Sequence, residues 1–388
     1  MPIRLCIIDQ GEIFGGAECF ALDLIRMLPK DVYEVHVCIS KNAHSTYKQA
    51  LEEMHFVKVH EITIPQLRPL SLPKIFQFVQ SCFSLFQILR KTKAQIIYTN
   101  TVRAHLVGSV VSLLRNTPLI WVLHDFTFPK AFIKRLIFIP KKVIGVSEVV
   151  LEYVQDTCGQ RWDDKFVVIP NGVTIEKVLT PSLETLSDLE KKPFIFEDSK
   201  RYIGIIGRID VWKGQDIFLK AAKILKEQYP QHEHLEFVVV GGITATDKER
   251  KQYAENLQTY AKENELSNVT FLGHQDIENI LPRLHILIQA STAPEPFGRT
   301  VIEAFQAGIP VVAANIGALK SIVAYGQNGL SFEPGNPQDL AQKIALLLED
   351  KHLYNTVKVN AERDVRAKYS MQRVLDMFIE VLQTISVK

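Results

Sequence analysis

The sequence predicts an α/β protein built from two doubly wound domains with parallel sheets. Short apolar runs alternate with longer helical patterns along most of the 388 residues, and this alternation is typical of strands joined by crossover helices. The alternation stops once, over residues 171–200, where polar and charged residues show no period. We therefore expect a first domain over 1–170, a linker over 171–200 and a second domain over 201–369, facing each other across a cleft.

The individual strands follow from runs of β-branched and aliphatic residues. In the first domain the predicted strands are IRLCIID, YEVHVCI, VKVHEI, QIIYT, PLIWVL, KVIGV and FVVIP. In the second they are YIGIIG, LEFVVVG, VTFLG, HILIQ and PVVAA. Stretches with helical periodicity lie between them, such as AECFALDLIRML and GQDIFLKAAKILKEQY.

Composition excludes several classes of protein. The net charge of +2 gives no reason to expect a nucleic acid as partner. Five cysteines without C-x-x-C spacing predict neither a metal site nor a disulfide framework, and they suit a reduced cytoplasm. The first ten residues, MPIRLCIIDQ, do not resemble a signal peptide. The longest apolar stretch, residues 74–91, is interrupted by polar residues and is too polar to span a bilayer.

Two glutamates eight positions apart mark the first candidate site, in STAPEPFGRTVIEAFQAGIP at 291–310. Pro296 restricts Glu295 to a loop conformation, and a helix is expected from Arg299 to Ala307, ending at Gly308. The backbone N–H groups of Gly298, Arg299 and Thr300 would form an anion site at its start. Glu295 would stand at the mouth of the site and face a neutral or cationic group such as a sugar, with Glu303 one turn into the helix. A surface loop with a capping acid and a solvated helix is the alternative.

Three further loops follow predicted strands. Arg208 and Lys213 lie on the loop after YIGIIG, where two cations could neutralise a diphosphate or could be merely solvated. The loop after IRLCIID carries Gly15 and Gly16, but its pattern is not that of a dinucleotide fingerprint. His124 follows the strand PLIWVL and would ordinarily be structural. No D-x-D pair is present to hold a divalent metal against a diphosphate.

Taken in order, these motifs resemble the family 4 retaining glycosyltransferases, which have the GT-B fold of two Rossmann-like domains. The resemblance covers the whole chain. It includes the Gly15-Gly16-Ala17-Glu18 loop, His124-Asp125, VIGVSEVVLEYV, VIPNGV, the pair Arg208 and Lys213, FLGHQDIENILPRLHILIQAS, and the E-x7-E signature from Glu295 to Glu303. It also implies that the C-terminal helix, over 370–388, packs back on the first domain.

The resemblance assigns roles to the candidate residues. Glu295 would contact the donor sugar and orient its reacting carbon, and His124 would reach the sugar from the first domain. Glu303 would hold the ribose hydroxyls and Gln275 the base. The remaining donor-binding residues would be Gly15, Gly16, Arg208, Lys213, Phe297, Gly298, Arg299 and Thr300. Asn100 and Arg103 would lie on the acceptor side.

The implied reaction is transfer of a sugar, with retention, from a nucleoside-diphosphate sugar donor to a glycan or lipid-linked acceptor, in the synthesis of a cell-surface polysaccharide or glycolipid. UDP is favoured because it is frequent in the family. No metal or other cofactor is expected, since the two cations would stabilise the leaving diphosphate. The alternatives are a non-hydrolysing nucleotide-sugar epimerase of the same fold and a non-catalytic sugar-binding protein.

Residues 66–145 also suggest an anionic membrane surface as a partner, and hence a peripheral position on the inner face of a membrane. The stretch carries twelve Lys and Arg and a single acid, Asp125. Aromatic residues accompany these cations in KIFQFVQSCFSLFQILRK and FTFPKAFIKRLIFIPKK, a combination that suits an anionic bilayer. Alternatively, both segments are crossover helices whose aromatics fill the first domain's core.

Overall fold

The computed structural model of this chain describes residues 2–66, 71–126, 130–159, 164–174, 194–243 and 248–386. They fall into two compact units. Unit 1 comprises Met1–Thr174 and Met371–Lys388, and unit 2 comprises Ile175–Ser370. Most of the predicted linker, residues 175–193, lies outside the described ranges.

Unit 1 contains a seven-stranded parallel sheet with the strand order β3-β2-β1-β4-β5-β6-β7. Its strands are β1 (Ile3–Asp9), β2 (Tyr33–Ser40), β3 (Val57–Ile62), β4 (Ile96–Thr99), β5 (Leu119–Leu123), β6 (Lys142–Gly145) and β7 (Phe166–Val168). The helices between them are α1 (Gly16–Met27), α2 (Ser45–Glu52), α3 (Leu72–Thr92), α4 (Val102–Arg115), α5 (Lys130–Leu136) and α6 (Glu148–Cys158).

Both faces of this sheet are covered, which explains why its central strands β4 and β5 are buried along their whole length. Leu5 and Ile7 of β1 point into one core with α1 and α2. Cys6 and Ile8 point into a second core with α3 and α4. The strand order reverses between β1 and β4, so the loops after these two strands share one crevice at the carboxyl edge of the sheet.

Unit 2 contains a six-stranded parallel sheet with the order β10-β9-β8-β11-β12-β13. Its strands are β8 (Arg201–Ile206), β9 (Leu235–Val240), β10 (Val269–Gly273), β11 (Ile286–Gln289), β12 (Val311–Ala314) and β13 (Leu330–Phe332). Its helices are α7 (Gln215–Gln228), α8 (Lys248–Glu263), α9 (Ile277–Ile280), α10 (Arg299–Gln306), α11 (Leu319–Ile322), α12 (Pro337–Glu349) and α13 (Lys351–Lys368). The order reverses between β8 and β11, which brings their two following loops together.

The last helix, α14 (Met371–Ser386), belongs to unit 1. Its residues Met371, Val374, Leu375, Phe378, Val381 and Leu382 are buried in the core that contains α1 and α2. The ring of Phe378 meets that of Tyr98 edge-on, with centroids 5.7 Å apart. The predicted class of two doubly wound domains is confirmed, whereas β13 was missed because its sequence, Leu-Ser-Phe, is interrupted by a polar residue and is not a continuous apolar run.

Candidate active site

Glu295 follows β11 and is buried, with 7% of its surface exposed. Lys213 Nζ lies 2.8 Å from its Oε2 and 3.1 Å from its Oε1. The same Oε2 accepts hydrogen bonds from Ser291 Oγ at 2.9 Å and Gln289 Nε2 at 3.2 Å. Glu295 was expected at the mouth of the site, and in the structure its carboxylate is largely buried and bonded to polar groups within the fold.

The loops that carry Glu295 and Lys213 are packed backbone to backbone. Gly214 has a φ of +71°, and a Cβ atom there would lie 1.9 Å from the carbonyl oxygen of Ala290. Thr292 N donates to the carbonyl of Trp212 at 2.8 Å. The ammonium of Lys213 also lies 4.1 Å from the centre of the Trp212 ring. Only glycine permits this approach, so the local sequence K-G positions the cation against the carboxylate.

Arg208 differs from Lys213 in exposure. Its side chain is 46% exposed, and its Nη2 lies 3.5 Å from Asp210 Oδ2. Arg250 approaches the same carboxylate oxygen at 2.9 Å. Of the two cations expected at the diphosphate, one is therefore open to solvent and the other is held by Glu295.

The start of α10 is built as the sequence predicted. Gly298 caps the helix with a φ of +106°, and a Cβ atom there would lie 2.8 Å from a methyl of Leu319. Phe297 is buried, with its ring 6.0 Å from that of Tyr369. Thr300 is partly buried. Glu303, expected to hold ribose hydroxyls, accepts a hydrogen bond from Arg299 Nε at 2.8 Å.

Gln275 lies on the loop after β10 and is partly buried. Its Nε2 donates to the carbonyl of Leu272 at 2.8 Å. The carbonyl end of this side-chain amide is therefore oriented by a bond within its own loop.

In unit 1, the loop after β1 leads into α1 through two glycines with different surroundings. Gly15 caps the helix, and its N–H donates to Glu18 Oε2 at 3.0 Å. A Cβ atom at Gly16 would meet nothing within 4 Å. Packing inside the protein therefore does not require glycine at position 16, which leaves room there for an incoming group.

Asn100, after β4, is only 2% exposed, and its amide links Asp9 to His124. Asn100 Nδ2 donates to Asp9 Oδ2 at 2.8 Å and to the carbonyl of Ala17 at 3.2 Å. Its Oδ1 accepts from Tyr98 Oη at 3.0 Å and lies 2.8 Å from His124 Nε2. From the sequence, Asn100 was expected on the acceptor side. In the structure its side-chain amide is buried and hydrogen-bonded at both ends, so it has no free group to contact an acceptor directly.

This arrangement assigns the tautomer of His124. Because Asn100 Oδ1 can only accept, His124 Nε2 must carry the proton, and its Nδ1 is then a lone-pair acceptor. Burial lowers the pKa of His124 to about 4, so the ring is neutral at pH 7. Sequence reasoning assigned no role to Asp9, although a single acid closing the apolar strand IRLCIID was a signal for it.

Arg103 is bound to an acid on the loop after β1. Its guanidinium donates to Glu12 Oε2 at 2.7 Å and to Oε1 at 3.3 Å, and its side chain is 22% exposed. Ser40 Oγ donates to the same Glu12 Oε1. Arg103 thus helps to hold the loop that carries Gly15 and Gly16.

Glu18→Gln is expected to change how stability depends on pH. Burial, and then the charge of nearby Asp9, raise the pKa of Glu18 from 4.5 to about 7. Between pH 4.5 and pH 7 the folded protein keeps a proton that the unfolded chain has lost, so this group increasingly disfavours folding as pH rises through that window. The glutamine variant lacks this effect. The free energy of unfolding of the variant minus that of wild type should therefore be larger at pH 8 than at pH 4.

Urea unfolding at pH 4, 6 and 8 measures this difference. Glu52→Gln, at an exposed glutamate of α2, is the matched control, and its stability difference from wild type should not change with pH. A stability difference between Glu18→Gln and wild type that is the same at all three pH values would contradict the assignment.

Comparison with known families agrees with the two units. A family model described as "Glycosyltransferase Family 4" matches residues 14–177. A second, described as "Glycosyl transferases group 1", matches residues 187–364. Together they leave out only the termini and a short stretch between the two ranges.

Among curated relatives, the D-inositol 3-phosphate glycosyltransferase of Corynebacterium urealyticum is 29% identical over 224 residues. That match covers 57% of this chain and 51% of the relative, so the chain spans about half the length of this relative. The UDP-Gal:alpha-D-GlcNAc-diphosphoundecaprenol alpha-1,3-galactosyltransferase of Escherichia coli is 22% identical, with 98% of this chain and 97% of the relative covered.

A solved structure similar to this chain is that of HepE from Anabaena in complex with UDP and glucose. The two chains are 25% identical and superpose with a TM-score of 0.80 over 98% of this chain and 100% of HepE. With both units matched by glycosyltransferase families, and with two parallel-sheet Rossmann-like domains, the chain belongs to the glycosyltransferases of the GT-B fold.

Proposed function

We propose that this protein transfers a sugar from a nucleoside-diphosphate sugar to a glycan or lipid-linked acceptor, and that the nucleotide of the donor is UDP. The observation that carries the proposal is the buried Glu295–Lys213 pair, with exposed Arg208 on the same loop as Lys213, at the carboxyl edge of the unit 2 sheet. Parallel α/β sheets bind ligands at this edge. The names of two similar proteins support the choice of UDP, since HepE was solved with UDP and glucose and the E. coli relative is named for UDP-Gal.

The two cations would stabilise the leaving group. Negative charge builds on the phosphate oxygens as the bond to the anomeric carbon breaks, and donors already in place stabilise it most effectively. Arg208 offers a planar fork of donors that is open to solvent. The Lys213 ammonium has three protons, so it can donate to a phosphate oxygen while it still holds Glu295. With two cations in this role, we propose that transfer needs no metal ion.

Glu295 and His124 would act on the donor sugar. Held by Lys213, Ser291 and Gln289, the Glu295 carboxylate is fixed in orientation, which suits a group that positions a sugar for reaction. In unit 1, the Nδ1 lone pair of neutral His124 can accept a hydrogen bond from a sugar hydroxyl. By resemblance to family 4 we further propose Glu303 for the ribose, Gln275 for the base, and retention of anomeric configuration.

The acceptor is proposed to be a glycan or a lipid-linked glycan, which would place the enzyme in the synthesis of a surface polysaccharide or glycolipid. The E. coli relative is named for a diphosphoundecaprenol acceptor. A peripheral position at an anionic membrane surface would suit such an acceptor. No helix within the described ranges is both long and apolar enough to cross a bilayer.

A panel of nucleoside diphosphates and nucleotide sugars tests this proposal by thermal unfolding in the presence of EDTA. A ligand at 100 times its Kd should stabilise the protein by about 2.7 kcal/mol. We expect UDP and a UDP-sugar to stabilise it equally with and without added Mg²⁺. Stabilisation that requires Mg²⁺ would contradict the metal-free assignment, and no response to any nucleotide would contradict the proposed function.

Turnover distinguishes the alternatives. With the stabilising donor and a membrane or glycan extract, a transferase releases free UDP together with labelled glycosylated product. An epimerase would convert the sugar, and a sugar-binding protein would leave the donor unchanged. The anomeric configuration of the isolated product then tests retention.

A further inference from the structure

Helix α3 exposes a row of large apolar side chains on the surface of unit 1. The exposed fractions are 82% for Leu72, 41% for Ile75, 71% for Phe76, 59% for Val79 and 63% for Phe83. Their spacing of three, four, seven and eleven residues places them on one side of the helix. We call these five residues the α3 face.

The opposite side of α3 is the one that packs on the sheet. Cys82, Leu85 and Leu89 are buried in the core of that sheet face, and Phe78 and Phe86 pack partly against it. The alternative that the aromatics of this segment all fill the core is therefore wrong for Phe76 and Phe83. The helix has two apolar sides, and the fold covers only one of them.

Apolar exposure is concentrated in this region. Of the 17 exposed large hydrophobic side chains in the described part of the protein, five form the α3 face. Leu113 and Leu114 at the end of the adjacent α4, and Phe138 just after α5, add three more. A row of large apolar side chains on the solvent-facing side of one helix indicates an interaction site.

The charged residues of α3 and of its C-terminal end are all basic. Arg90 lies two turns beyond Phe83 on the same side of the helix and is exposed, as are Lys91 and Lys93. Arg115 of α4 lies 5.3 Å over the ring of Phe86. Helices α3, α4 and α5 contain no acidic residue, and Asp125, between α4 and α5, is the single acid of residues 66–145.

This combination selects one kind of partner. A second copy of the chain would oppose one basic surface with another, which electrostatic repulsion disfavours. An anionic bilayer is complementary in both respects, since its headgroups attract Lys and Arg and its interface accepts aromatic and aliphatic side chains.

The position of α3 connects this surface to the candidate site. The helix returns from the carboxyl end of β3 to the amino end of β4, so Leu72, Ile75 and Phe76 lie toward the carboxyl edge of the sheet. Asn100 follows β4 at this same edge. A bilayer in contact with the α3 face would therefore lie on the side of unit 1 where the loops after its strands are found.

We propose that the α3 face docks unit 1 on an anionic bilayer, with Phe76 and Phe83 in the interface and Arg90 and Lys91 at the lipid phosphates. Delivery of a lipid-linked acceptor by this contact rests on the proposed function, whereas the binding to lipid does not. The experiment is co-sedimentation of the full chain with vesicles of phosphatidylcholine alone or mixed with phosphatidylglycerol, at low and high salt.

Wild type should bind only the phosphatidylglycerol vesicles, and binding should fall as salt rises. The double variants F76S/F83S and R90S/K91S should each lower the partition coefficient at least tenfold. Two control variants should bind as wild type does. V359S changes a valine of α13 that is as exposed as Phe83, and K351S/R366S changes two exposed cations of the same helix.

Each outcome decides the proposal. Wild type that stays in the supernatant at low salt, or F76S/F83S that binds as wild type does, would overturn it. A wild-type dimer that F76S/F83S dissociates in sedimentation velocity, without vesicle binding, would instead show that the α3 face joins two copies. Stabilisation by UDP should be the same in all four variants as in wild type. If wild type binds vesicles but is not stabilised by UDP, the proposed function is contradicted and the lipid-binding proposal is not.

Discussion

Glu295→Gln is expected to lower kcat for sugar transfer roughly 100-fold, the scale seen when one preorganised polar group is removed from an active site. Glutamine has the shape of glutamate and can keep hydrogen bonds to Ser291 and Gln289. It carries no negative charge to pair with the Lys213 ammonium, and its amide forms weaker hydrogen bonds to sugar hydroxyls than a carboxylate does. The free energy of unfolding should stay within about 1 kcal/mol of wild type, because Lys213 keeps its contact with Trp212 and some access to solvent.

Both quantities should be measured on one preparation, with transfer followed by release of UDP and stability by urea unfolding. Glu349→Gln, at an exposed position at the end of α12, is the matched control for the same chemical change in unit 2. If Glu295→Gln kept wild-type turnover, Glu295 would have no part in catalysis, and any loss of stability would make it a residue that only fixes the loop.

Arg208→Ala is expected to lower kcat/KM for the donor about 10- to 100-fold, since a hydrogen bond to a charged group contributes roughly 1.5–3 kcal/mol. The half-exposed guanidinium is 3.5 Å from Asp210, and Arg250 remains bound to that acid. An exposed ion pair contributes little to folding, so the variant should unfold at nearly the wild-type temperature. Its affinity for UDP should fall as well, because the contact is proposed to be with the diphosphate.

Lys220→Ala is the control for loss of a positive charge from unit 2, since Lys220 is exposed on α7 and pairs only locally, with Asp216. It should leave kcat/KM and UDP affinity unchanged. Wild-type values of both in Arg208→Ala would remove Arg208 from the diphosphate site and leave Lys213 as the only proposed cation there.

The amino-acid pattern was sufficient to predict the class of fold and the bounds of several of its elements. Its strands could be read because a parallel strand buried on both faces is a continuous apolar run, which is a local property. Gly298 and Gly308 likewise delimit α10 by their own backbone conformations, with φ of +106° and +68°. Strand β13 was missed because Ser331 interrupts its apolar residues, whereas β7, which is equally short, is a continuous apolar run.

The contacts between side chains that are distant in sequence could not be predicted, because they depend on which strands are neighbours in the sheet. Glu295 and Lys213 are 82 positions apart, and they touch because β8 lies beside β11, a neighbour relation set by the whole sheet. Asn100 reaches Asp9 across 91 positions for the same reason, through β1 and β4. The period of α3 shows that the helix is apolar, but not which side faces the sheet. The side that faces the sheet depends on how α3 packs against its neighbours. In the structure Leu85 and Leu89 are on the buried side, and Phe76 and Phe83 are exposed.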